Sequence, residues 1–274
     1  MSLSRQTARR FAPNRKIDRL VLCLLAATWI FVGTGFPQTA KPIKNESSAT
    51  WVSYVGEHPF SKNWIFHIEG YGTWLGPTKE PDFFFLRPGI RRQLNGQLSI
   101  LVAYSYFRFL PARTTASSSL PEHRFSTDIQ WAHPLSASRQ REVTLIHRLR
   151  QEYRFVAVED TITRRRDLSF SPRTRYRANV VFPLKQNTFE LTPSYLSFYD
   201  EVFLNTRSGQ TRFLTQNLTS GAAGWKLGPH VNMEIGYVHQ YDPSPRGSVG
   251  VHNHVLTVTL FSRIPLGIKS TMPR

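Results

Sequence analysis

The sequence predicts an all-β protein: a closed antiparallel up-and-down transmembrane β-barrel of about ten strands, with twelve as the alternative, preceded by a signal peptide. Three observations carry that expectation. The first is a period of two. Between Ile146 and Phe155, the residues Arg148, Arg150, Glu152 and Arg154 alternate with Leu149, Gln151, Tyr153 and Phe155. The same beat returns where Arg173, Arg175, Arg177 and Asn179 alternate with Tyr176, Ala178 and Val180. Successive side chains of a strand point to opposite faces, whereas a helix would scatter these arginines around its circumference. The second is run length. The runs cover about ten to sixteen residues, which suits a tilted membrane-crossing strand better than the usual five or six. The third is an alternation of short connections (near 94, 136, 186 and 227) with longer ones (near 78, 115, 164, 208 and 246), as outer-membrane barrels require. In a secreted sandwich the charged face would meet water. In a membrane barrel the charge lines the lumen and the apolar face meets lipid.

Residues 1–40 read as a signal peptide and leader. A basic segment ends at Arg19, and Leu20–Val32 is an apolar core followed by small residues and Pro37. The competing reading of that core is a single transmembrane anchor. Cys23 lies inside it, so the remainder has no disulfide framework and no thiolate chemistry. Residues 41–62, with the aromatic run Trp51–Gly56, read as an N-terminal periplasmic segment or a short extra strand; residues 63–274 form the barrel.

Within that barrel Trp64–Trp74 alternates Trp64, Phe66 and Ile68 against His67, Glu69 and Tyr71. Phe83–Arg92 and Gln97–Phe109 are joined across Asn95-Gly96, a strong hairpin signal. The Ser/Thr-rich stretch Pro111–Pro121 is a loop, and Arg124–Ala132 alternates Phe125, Thr127 and Ile129 against Arg124, Ser126 and Asp128. The two arginine-bearing strands follow. Lys185–Thr188 is a tight turn before Phe189–Asn205, and Phe213–Trp225, His230–Tyr241 and His254–Pro265 complete the count. Both termini fall on the short-turn side. Insertion signals commonly end in an aromatic residue, whereas Phe261 is followed by an extension to Arg274.

The formal charge is +17, of which +5 falls in residues 1–40, leaving +12. Nucleic acid is not the expected partner, because the basic residues alternate with apolar ones along strands and form no surface tract. No run after residue 40 has the length and polarity of a helical membrane span.

Several marks stand in order along the chain: Trp51, then Glu122-His123-Arg124, then Arg148-Leu149-Arg150-Gln151-Glu152-Tyr153-Arg154-Phe155. Arg175-Tyr176-Arg177, Tyr199-Asp200-Glu201-Val202-Phe203 and Gln216-Asn217 follow. In these the chain resembles an uncharacterised family of bacterial outer-membrane β-barrels, the domain of unknown function 2490 family, over about residues 51–264. Leu218 stands where that family carries arginine. The resemblance implies an outer-membrane barrel of a Gram-negative cell and supplies no activity.

The candidate site is a lumen charge network of Glu69, Arg124, Asp128, Arg148, Arg150, Glu152, Arg154, Arg175, Arg177, Glu201 and Glu234. In a narrow barrel such a network plugs the lumen; with bases in excess it also favours anions. The expected function is therefore a non-enzymatic barrel, largely plugged or with a narrow anion-preferring pore. The alternatives are a lipid-modifying Ser/His hydrolase and a barrel that binds a partner through external loops. For the hydrolase the candidates are His67, His123, His133, His147, His239, His252 and His254 with Ser105, Ser126 and Ser197, but no nucleophile signature surrounds any serine. His252 and His254 could bind a metal, yet the sequence identifies no third ligand. No cofactor and no metal are expected. The expected partners are outer-membrane lipids and, during insertion, the barrel-assembly machinery.

Overall fold

A computed structural model of the chain describes residues 45–76, 80–110, 121–135, 142–159, 166–184, 192–207, 213–243 and 250–267. The predicted signal peptide and the turn Lys185–Thr188 lie outside the described residues. Eleven strands follow one another: β1 (Asn45–Pro59), β2 (Trp64–Leu75), β3 (Glu80–Gln93), β4 (Leu98–Phe109), β5 (Pro121–Pro134) and β6 (Thr144–Glu159). After these come β7 (Arg166–Pro183), β8 (Tyr195–Asn205), β9 (Leu214–Lys226), β10 (Val231–Asp242) and β11 (Val251–Ser262). Each pairs antiparallel with its successor, and β1 closes the barrel against β11.

Three expectations need correction here. The strand number is eleven, neither ten nor twelve, and the barrel is not antiparallel throughout, because β1 and β11 run parallel from Asn45↔Val251 to Gly56↔Ser262. The added element lies in the segment read as periplasmic or as a short extra strand; it forms a strand of fifteen residues, Asn45–Pro59. Its first residues, Asn45 to Thr50, are mostly polar, and they hold an extended conformation because β11 pairs with all of them and β2 joins from Ala49 onward. The alternation of loop lengths also fails. Connections 135–143 and 184–194, expected to be short, are longer than 76–79, expected to be long.

Register fixes the shape. A row of paired residues runs from Pro183 through Tyr195, Gly224, Glu234, Thr259, Ser53, Tyr71, Phe85, Phe107, Glu122 and Val156 to Ser169. One circuit therefore returns to β7 displaced from Pro183 to Ser169, a shear of fourteen. With ordinary strand spacing and rise, that shear over eleven strands gives a tilt of about 41° and a backbone radius of about 11 Å. Such a cylinder is narrow enough for long side chains to fill.

Alternation then sorts the residues. On β4, Ser99, Leu101, Ala103, Ser105 and Phe107 are buried inside while Val102, 60% exposed, faces out. Ile129, Leu149, Phe198, Ile235 and Leu256 join it on the outer face. Aromatic rings and imidazoles gather on that face toward each rim. Trp131, His133, His147 and Tyr176 stack near 135–143; Tyr104 and His123, hydrogen-bonded at 2.6 Å, lie near the connection from β4 to β5. No helix among the described residues is long and apolar enough to cross a membrane, which says nothing of crossing by strands.

Candidate functional site in the barrel lumen

Four buried carboxylates organise the lumen, each shared by more than one guanidinium. Glu201 on β8 is paired by register with Arg177 on β7, which is paired with Arg148 on β6. It accepts from Arg148 Nη2 at 2.7 Å, Arg175 Nε at 2.9 Å, and Arg177 Nε and Nη2 at 2.9 and 2.5 Å. Glu152 takes two bonds from Arg173, at 2.9 and 2.6 Å, and one from Arg175 Nη1 at 2.9 Å. Asp128 is gripped by both Nε and Nη2 of Arg150 at 2.9 Å and by Arg87 Nη2 at 2.9 Å. Glu122 receives Arg124 Nε at 2.5 Å together with Arg154 Nε and Nη2 at 2.5 and 3.1 Å. Two-pronged guanidinium–carboxylate contacts fix geometry as well as charge, which is why arginine rather than lysine suits this lumen.

A second branch links β1, β2 and β3 to the first. Arg91 holds Glu57 through Nε and Nη2, both at 3.0 Å, and His67 Nδ1 meets Glu57 at 2.7 Å. His67 Nε2 stands 3.7 Å from Glu69, which accepts from Arg87 Nη1 at 3.1 Å. Because Arg87 also reaches Asp128, the contacts run without a break from Glu57 to Asp128, then through Arg150, Glu152 and Arg175 to Glu201. Charges this deep persist only where paired: Glu201 is 0% exposed, Asp128 1% and Arg150 4%.

The opposite arc holds no arginine of this network; it combines an apolar cluster with the polar side chains of Gln240, Asp242 and Asn253. Phe203, Leu218, Val238 and Val255 form a buried cluster with Ala49, Trp51 and Tyr199 packed against it. Guanidiniums lie over its aromatic edge, Arg175 at 4.1 Å and Arg173 at 4.8 Å from the Phe203 ring and Arg177 at 4.0 Å from that of Tyr199. Beyond it the wall is small. Tyr195 lies where a side chain at Gly224 would stand, 2.1 Å from the position of a Cβ there.

A family model described as Protein of unknown function (DUF2490) matches residues 48–250. The match covers most of the chain and nearly all of the barrel. The chain belongs to the DUF2490 family. No curated protein and no solved structure matches it. In this DUF2490 barrel, Leu218 lies in the apolar cluster and not among the arginines.

Of the residues singled out from sequence, Glu69, Arg124, Asp128, Arg148, Arg150, Glu152, Arg154, Arg175, Arg177 and Glu201 converge in this network. Glu234 stands apart, hydrogen-bonded to Tyr195. Sequence reasoning missed Glu57, Arg87, Arg91, Glu122 and Arg173 as members, and placed His67 among candidate catalytic groups. The missed arginines share the inward parity of Phe85 on β3 and of Arg175 on β7, so period two applied to every run would have found them. The Ser/His candidates do not meet. Ser105, Ser126 and Ser197 are buried on the lumen side, whereas His123, His133, His147, His239, His252 and His254 sit at outward-facing positions. His67 does face the lumen, where it is engaged by Glu57 and Glu69.

Proposed function

We propose that this DUF2490 barrel resides in the outer membrane of a Gram-negative cell as a non-enzymatic protein. Its lumen is largely filled by the arginine–carboxylate network, leaving at most a narrow path that prefers anions. One observation carries the reading: the partition is inside out for water. Paired charges are buried within, while Val102, Phe125, Ile129, Leu149, Phe198 and Leu256 cover the outside. In lipid this arrangement is favourable on both sides, because apolar side chains meet acyl tails while the arginine–carboxylate network stays inside. Among the described side chains of the strands, Arg92, Arg108 and Asp200 are the charged residues at outward positions, and Asp200 is bonded to Asn217 and Thr219. Anion preference follows from the surplus of bases. The arginines of the network, Arg87, Arg91, Arg124, Arg148, Arg150, Arg154, Arg173, Arg175 and Arg177, outnumber the carboxylates that they contact, Glu57, Glu69, Glu122, Asp128, Glu152 and Glu201.

The partners of this reading are outer-membrane lipids around the barrel and the barrel-assembly machinery during insertion. Export by the signal at Leu20–Val32 belongs to the same proposal. Planar-bilayer recording with refolded protein tests it. The expected result is a small, anion-preferring conductance or none. Large, stable, unselective currents would refute the filled lumen, and recovery of the native protein from a soluble periplasmic fraction would refute the membrane location.

A further inference from the structure

We propose that His239, His252 and His254, on the outer wall of β10 and β11, bind one divalent transition-metal ion. The strands bring them together. Antiparallel register sets His254 directly opposite His239 and Tyr241 opposite His252, so His252 is the diagonal neighbour of His239. All three have the same parity and lie on one face. The result is a His-x-His pair on one strand with a third imidazole across from it, an arrangement that no sequence run shows.

The distances suit an ion. His239 Nε2 and His252 Nδ1 stand 3.0 Å apart. Two nitrogens each bonded to a metal at about 2.0–2.1 Å are separated by about 2.9–3.4 Å for bond angles between a right angle and the tetrahedral one. The pair is therefore spaced as a chelate. The third imidazole is near, with its ring centre 5.7 Å from that of His239. Its Nδ1 is engaged by the Tyr237 hydroxyl at 2.5 Å, which leaves Nε2 as the donor, as a hydrogen bond on the far nitrogen commonly does in metal sites. Tyr241 packs on His252 with ring centres 4.9 Å apart and limits its rotation. Among the described residues no group of three or more histidine, cysteine or acidic side chains stands close enough to hold a metal ion without a shift. The His239–His252 pair is the preset part, and His254 closes on the ion when it arrives. Neutral imidazoles without carboxylate select copper, nickel or zinc over calcium or magnesium. A proton shared between His239 and His252 would explain one contact; it would not explain a third imidazole held with its outer nitrogen open.

The test uses the full untagged chain folded in detergent micelles, titrated with Ni2+ or Cu2+ by calorimetry and, for copper, by electron paramagnetic resonance. One ion per chain with nitrogen coupling is expected. His239→Ala, His252→Ala and His254→Ala should each weaken binding by about tenfold or more, whereas His123→Ala, elsewhere on the outer wall, should leave it unchanged. Far-UV circular dichroism confirms that each variant is folded, and His239→Gln and His252→Gln replace any alanine variant that is not. Absence of binding by the parent protein, or parental affinity in the His239 or His252 variants, overturns the proposal.

Discussion

The two sides of the lumen solve the same filling problem in different ways. From β2 to β8 the wall projects arginines and carboxylates, whose contacts are directional and each of which depends on a partner from another strand. Across β9, β10 and β11 the wall carries no arginine of the network, and the buried cluster of Leu218, Val238 and Val255 needs only volume from its neighbours. The difference teaches where the barrel is brittle. Truncating an apolar side chain leaves a cavity with a graded penalty, whereas removing a carboxylate strands several cations at once. The two walls are also interdependent, since Phe203 packs with Leu218 on one side and lies under Arg173 and Arg175 on the other.

The sharpest way to break the contrast is Glu201→Ala, which leaves Arg148, Arg175 and Arg177 without their shared acceptor. A loss of about 3–5 kcal/mol in reversible denaturant unfolding from micelles is expected, for a dry site. A loss below about 1 kcal/mol would mean that water screens the charged wall and that the lumen is not filled. Next in size is Val102→Arg, which puts an arginine on the outer side of the charged wall. On the proposed membrane reading it would meet lipid there, at a cost of about 2–4 kcal/mol near the bilayer midplane. The same variant should cost almost nothing if that face meets water, so comparing folding in bilayers and in buffer reads the environment directly.

In the apolar cluster of the other wall, Leu218→Ala should cost about 2–3 kcal/mol through transfer and cavity alone. Equal or larger loss than for Glu201→Ala would erase the distinction between the walls. The smallest effect belongs to Arg92→Ala. Its guanidinium lies 5.2 Å from the Trp64 ring outside the barrel, and about 0.5–1 kcal/mol is expected from thermal unfolding. A much larger shift would show that outer-rim contacts rival those inside.

Much of the barrel is legible in the sequence because period two reports which face a residue takes. The Arg148–Arg154 and Arg173–Arg177 ladders read as lining one face, and the structure sets Arg148 against Arg177 and Arg150 against Arg175. Tight turns are readable where Asn95-Gly96 marks one. What period two does not carry is which strand lies beside which, or in what direction. The β1–β11 pairing joins residues about two hundred positions apart, and nothing local to Asn45–Thr50 announces it. Arg87 and Arg91 are hidden for a different reason. Phe83–Phe85 and Ile90 make their run read as apolar, and Arg87 and Arg91 do not look like a ladder until β2 and β5 supply Glu69 and Asp128 to the first and β1 supplies Glu57 to the second.

The parallel seam has a consequence for sidedness. An odd number of crossings places Asn45 and Ser262 at opposite openings of the cylinder. In a bilayer, the start of β1 and the end of β11 would then face different compartments. A protease added to one face should cut an epitope inserted just before Asn45 and spare one inserted after Ser262, or the reverse. Assembly from a single side must therefore carry one flank of the barrel across the membrane, whereas a barrel of even strand number keeps both flanks where they started.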